Sequence, residues 1–119
     1  MPRYLISFPD GAMQIPDGDW ADVARAAGAV EQEAKAAGAW VYGAGLEHQV
    51  SSVVHTDGTI TDGPYPETKE HIGGFAVVDV ATRAEALEWA AKIAVACRCA
   101  QEVHELLPDD YGAQLIENA

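Results

Sequence analysis

An α+β fold is what this sequence predicts: one antiparallel sheet with two helices on one of its faces. Three observations lead there. Two long stretches repeat apolar residues at helical spacing. Short segments of β-forming residues stand before, between and after them. The resulting order is strand, helix, two strands or more, a strand, helix, strand, a β-α-β-β-α-β pattern of the ferredoxin-like kind.

The first strand is read over residues 3–8, where Tyr4, Ile6 and Phe8 alternate with less apolar neighbours and Pro9-Asp10-Gly11 closes the run. A helix follows over about residues 19–37. Trp20, Val23, Ala24, Ala27, Val30, Ala34 and Ala37 make its apolar stripe, Asp17 or Asp19 is a candidate cap, and Gly38 a natural terminator. Gly28 weakens it from within, by about 1 kcal/mol relative to Ala. Residues 40–46 read as a strand thinned by Gly43 and Gly45, glycines that mark a bulge or a close backbone approach.

Asp57-Gly58 between β-formers predicts a tight two-residue hairpin joining residues 50–56 to 59–61. Residues 74–80 are a nearly continuous apolar run, fitting a central strand. Thr82-Arg83-Ala84-Glu85 reads as a capping box opening a helix to about Cys97. That helix offers two apolar patches: Leu87, Ala91, Ala94 and Val95 on one side, Trp89, Ile93 and Ala96 on another. A last strand is expected over residues 102–107. The tail from Tyr111 is read as a short helical turn or a mobile end.

The 119 residues suffice for one domain, spanning residues 1–119, with a single core. Two helices cover only one face of such a sheet. A second copy is the simplest cover for the other, so a homodimer with its sheets face to face is expected. The formal net charge of −12, with 7 basic residues, argues against nucleic acid as a partner. No run of about 18 apolar residues exists to span a membrane, and the N-terminal run reads as a strand rather than a signal peptide. A cytoplasmic location is expected. Cys97 and Cys99 form neither a Cys-x-x-Cys site nor a disulfide framework and read as small buried thiols near a helix end.

The segment hardest to explain by folding alone is Thr61-Asp62-Gly63-Pro64-Tyr65-Pro66-Glu67-Thr68-Lys69-Glu70-His71-Ile72-Gly73-Gly74-Phe75. It crowds charges and a histidine among turn formers just before the apolar strand. Its signature Thr61-Asp62-Gly63-Pro64-Tyr65, then Glu67-Thr68-Lys69-Glu70 and Gly73-Gly74-Phe75, resembles the YCII-related family. More narrowly it is similar to the branch marked by an Asp-Gly-Pro-Phe motif, with Tyr65 in the place of Phe. Ala84-Glu85-Ala86-Leu87-Glu88-Trp89-Ala90 and Glu102-Val103-His104 resemble the family's second helix and last strand. The resemblance implies a dimeric α+β barrel of ferredoxin-like subunits. It also implies a family largely without assigned activity, in which a few members are enzymes, one of them a dehydrochlorinase. A His–Asp pair has been proposed as the active site of YCII proteins. This sequence departs from that pattern: its first helix holds no histidine, His104 replaces the usual arginine, and a proline expected near Ala94 is missing.

Candidate site residues follow. Asp62, where a strand yields to a Gly-Pro turn, is a candidate general base or acid, or simply the carboxylate of an Asx-turn. His104 and His55 are candidates to pair with it. Glu67, Lys69, Glu70 and His71 form a candidate substrate-binding cluster, with Lys69 facing an anionic group, or else a solvated ion-pair network. Gly73 and Gly74 suit backbone geometry better than ligand contact. Histidine spacing gives no metal site, and phosphate-loop and nucleophile-elbow motifs are lacking. No cofactor is expected. Two functions survive: a cofactor-free acid–base enzyme, of lyase or isomerase type, acting on a small anionic substrate, and a non-catalytic dimeric binding module. The first predicts a pocket between helices and sheet, near Asp62.

Overall fold

The computed structural model describes residues 1–63 and 71–119. Its elements are β1 (Arg3–Pro9), α1 (Trp20–Ala36), β2 (Trp40–Gly45), β3 (Ser52–Val54), β4 (Ile60–Asp62), β5 (Ile72–Asp79), α2 (Arg83–Cys97), β6 (Glu102–Glu105) and α3 (Tyr111–Glu117). Four strands form one sheet in the order β2-β5-β1-β6, antiparallel at every junction. β1 and β2 flank β5 and are joined through α1, which makes the split β-α-β unit of a ferredoxin-like α+β fold.

Alternation along β1 sets the core. Tyr4 and Ile6 point to the helices, opposite Val78 and Ala76 of β5. They pack with Ala39, Val80, Ala86 and Ala90, while Trp89, Ile93 and Val103 close the edges. The helix side of α2 is therefore its Trp89–Ile93 patch. Leu87 and Val95 of the other stripe stay 45% and 81% exposed. Thr82 caps α2 by accepting from the backbone N–H of Glu85 at 3.2 Å. Left-handed Arg98 ends it (φ 58°) and ties it to Asp19 before α1 at 2.7 Å. Lys92 of α2 pairs with Glu33 of α1 and lies 5.0 Å from the Trp89 ring centre.

Gly28 sits inside α1 with an ordinary helical φ, and a β-carbon there would meet nothing within 4 Å. Gly28→Ala is accordingly expected to stabilise the protein by about 0.5–1 kcal/mol. A rise of a few degrees in Tm in a thermal melt checks this; no change or a loss would mean that the position needs its freedom.

Two boundaries differ from the sequence reading. The bulge in β2 falls between Trp40 and Tyr42, not at a glycine. Gly43 instead answers to close approach: a β-carbon there would lie 2.7 Å from the Trp40 ring and 2.9 Å from the Phe75 carbonyl oxygen. The hairpin loop is also one residue longer than expected. His55 N–H donates to Thr59 O and Gly58 N–H to His55 O, so Thr56, Asp57 and Gly58 form the loop, and only Gly58 takes positive φ (87°). Asp57 Oδ1 accepts from the N–H and hydroxyl of Thr59, which holds its carboxyl below the usual range. That contribution is present above the ordinary carboxyl pKa and fades as pH falls through the lowered one.

β3 and β4 form their own two-stranded sheet rather than extending the main one. Val54 and Ile60 on it are 64% and 68% exposed. The described chain measures 51 × 38 × 18 Å, with a radius of gyration of 16.8 Å. About 13.5 Å is usual at this length. A thin body of one helical layer on one sheet, with a projecting hairpin, accounts for the difference. On the sheet face away from the helices, Val77 lies between Leu5 and Tyr42, and Phe75 between Ser7 and Ala44.

Candidate functional site

Antiparallel pairing of β1 with β5 brings the end of the first strand to the start of the central one. The last pair, Pro9 with Ile72, follows a register shift, and Asp10 N–H donates to the His71 carbonyl. The side chains then meet: His71 Nε2 lies 3.2 Å from Asp10 Oδ2. His71 also lines a cavity of about 220 Å³, together with Ser7, Phe8, Pro9, Ile72 and Glu102. Ser7 and Glu102 are cross-strand partners on the face away from the helices.

Gly73 makes this junction possible. A β-carbon on it would sit 3.0 Å from both Asp10 Cα and the Pro9 carbonyl oxygen, backbone that cannot swing aside. At Gly74 a β-carbon would lie 2.5 Å from the Phe8 ring. The paired glycines thus serve packing of β5 on β1, and through it the approach of Asp10 to His71. At Gly63 a β-carbon would strike Ser51 Oγ at 2.5 Å, so this motif glycine serves closure of the hairpin.

A carboxylate beside one imidazole nitrogen orients the ring and leaves the other nitrogen to face a ligand. Asp10 holds Nε2, which makes Nδ1 the nitrogen for exchange. The half-exposed side chains, 49% for His71 and 41% for Asp10, leave the pair reachable from solvent.

The other candidates are distributed differently. Asp62 ends β4, paired with Ser52, and is exposed. His104 is exposed on β6 opposite Leu5, two residues from Glu102 on the same face. The structure places Asp62 and His104 in separate sheets, with no hydrogen bond between them. His55 bonds Thr61 on its own hairpin, with Nε2 and Oγ1 2.9 Å apart. Glu67, Lys69 and Glu70 lie outside the described residues.

A pocket between helices and sheet does exist, with a volume of about 230 Å³, but Asp62 is not among its lining residues. Cys97 lines it, and burial, then neighbouring Cys99, pushes its thiol pKa up. Burial also raises Cys99. Both shifts favour the protonated thiol, which slows but does not abolish reaction with an alkylating agent. Among the described residues no group of three or more His, Cys, Asp or Glu is arranged to hold a metal ion, and no helix is long and apolar enough to cross a membrane.

Sequence reasoning missed Asp10, which it read only as part of a turn. Its signal was positional: a turn closing the first strand must abut the residue before the strand paired with it antiparallel.

A ferredoxin-like α+β domain with a histidine–carboxylate pair at a sheet end is the class that fold and site define. The chain belongs to the YCII-related domain family, whose model matches residues 18–108. That span takes in both main helices and every strand except β1, so His71 lies inside it and Asp10 outside. No curated protein matches the sequence.

Proposed function

We propose that this chain is a cofactor-independent acid–base protein of lyase or isomerase type, working on a small molecule as a homodimer in the cytoplasm. We place it in the Asp-Gly-Pro-Phe branch of its family, with Tyr65 standing for Phe. The observation that carries the reading is the His71–Asp10 pair, with His71 lining a cavity beside Ser7 and Glu102. One histidine steadied by a carboxylate is sufficient to take a proton from carbon and return it elsewhere. Lys69, two residues before His71 in sequence, is suited to an anionic substrate group.

The test is a panel of small carboxylic and aromatic acids followed by thermal shift and by the His71 ring resonances. A true substrate class raises Tm, moves those resonances, and does neither in His71→Ala. Turnover, once a substrate is found, should fall at least about a hundredfold in His71→Ala. A panel that moves no resonance of His71 would remove the basis for catalysis there. The half-exposed state of the pair favours one alternative, a non-catalytic dimeric binding module. In that case ligands bind, and His71→Ala changes affinity without any turnover to lose.

A further inference from the structure

The 230 Å³ cavity on the helix side of the sheet is a distinct space. Protein interiors leave few voids larger than a water molecule, so one this size has a cause in the sequence. Small residues, Ala27 of α1 and Ala96 of α2, face Gly43 of edge strand β2 across it. Phe8, Trp40 and Ile93 wall it, and Met13, adaptable in shape, joins from the loop before α1. The Trp40 ring lies against the strand at Gly43 and leaves the middle of the space clear. At Gly45, also in the lining, a β-carbon would meet nothing within 4 Å, which marks the opening past the sheet edge.

The polar side chains among the described lining residues are Glu31, Gln101 and the thiol of Cys97. Gln101 Nε2 donates to the Cys99 carbonyl at 3.2 Å, which leaves the Gln101 amide oxygen to accept. Glu31 contributes a carboxylate paired with Lys35 at 3.0 Å. Among the described residues no lysine or arginine lines the space. A carboxylate ligand would find no counter-charge among the described residues and would face Glu31. Dry apolar cavities of about 150 Å³ admit benzene, so this one has room for a ring with a substituent.

We propose that this cavity binds a neutral, single-ring molecule carrying an O–H or N–H donor, a phenol or aniline in class, with the ring between Trp40 and the helices and the donor on Gln101. This site is independent of the His71 reading: the two cavities share only Phe8 among their described lining residues.

The experiment titrates phenol, toluene and benzoate into the intact chain, read by amide chemical-shift mapping and by alkylation of Cys97. Phenol should shift amides around Trp40, Val30 and Gln101 and slow alkylation of Cys97, with benzoate at least about tenfold weaker. Ala27→Phe, which fills the space, should abolish binding. Gln101→Leu should bring phenol down to the level of toluene, a loss of about tenfold for one hydrogen bond. His71→Ala should leave all of this unchanged. Benzoate binding as well as phenol, phenol binding that survives in folded Ala27→Phe, or shifts confined to the opposite sheet face would each overturn the proposal. If Ala27→Phe fails to fold, Gln101→Leu and the shift map decide.

Discussion

Ile6→Ala is expected to cost about 3 kcal/mol and lower Tm by about 10 °C or more, within the range for emptying a buried aliphatic site. Ile6 is fully buried on inner strand β1, with Ala76 on one side and Val103 on the other. Its immediate cross-strand neighbours are too small or too constrained to collapse into the space. Domains of this size are stable by only about 5–15 kcal/mol, so the loss is a large share of the total. Leu5, one residue away, points to the opposite face and is only partly buried. Leu5→Ala in dilute solution should therefore cost distinctly less. Calorimetric melts of both variants check the contrast, and equal losses would mean that the alternation of β1 does not define the core.

That contrast also shows what was legible in the sequence. The period-2 pattern of Tyr4, Ile6 and Phe8 set both position and facing of β1, because one face is fully covered. Thr82 and Gly38 are local devices and marked the neighbouring helix ends correctly. The start of β5 was harder. Gly73 and Gly74 weaken any strand signal, yet both lie in the strand because packing against Asp10 and Phe8 demands the absence of a side chain. The helix side of α2 was equally open, since Leu87 and Trp89 are both apolar and only the position of the sheet chooses between them. The His71–Asp10 pair joins residues 61 apart in sequence, so no local pattern could announce it. Register, which depends on the whole sheet, brings them together.

Val77→Asp is expected to abolish self-association while leaving the subunit folded. Val77 stands on inner strand β5, between Leu5 and Tyr42 on the face away from the helices, with Tyr42 61% exposed and its ring centre 6.1 Å from that of Phe75. In the proposed face-to-face dimer this row meets its own copy, so the substitution buries two carboxylates near the symmetry axis. Burial disfavours both charges, and each carboxylate disfavours the ionised form of the other. The wild-type chain should run at twice 12.6 kDa in light scattering and the variant at 12.6 kDa, with unchanged far-ultraviolet circular dichroism. Each subunit carries a formal charge of −12, so the copies repel as they approach. Added salt should screen that repulsion and tighten the wild-type dimer, whereas a dimer held by exposed ion pairs would loosen. Melting temperature should rise with concentration for the wild type alone. A wild-type chain that stays monomeric at every concentration and salt level would mean that this sheet face is covered by something other than a second copy.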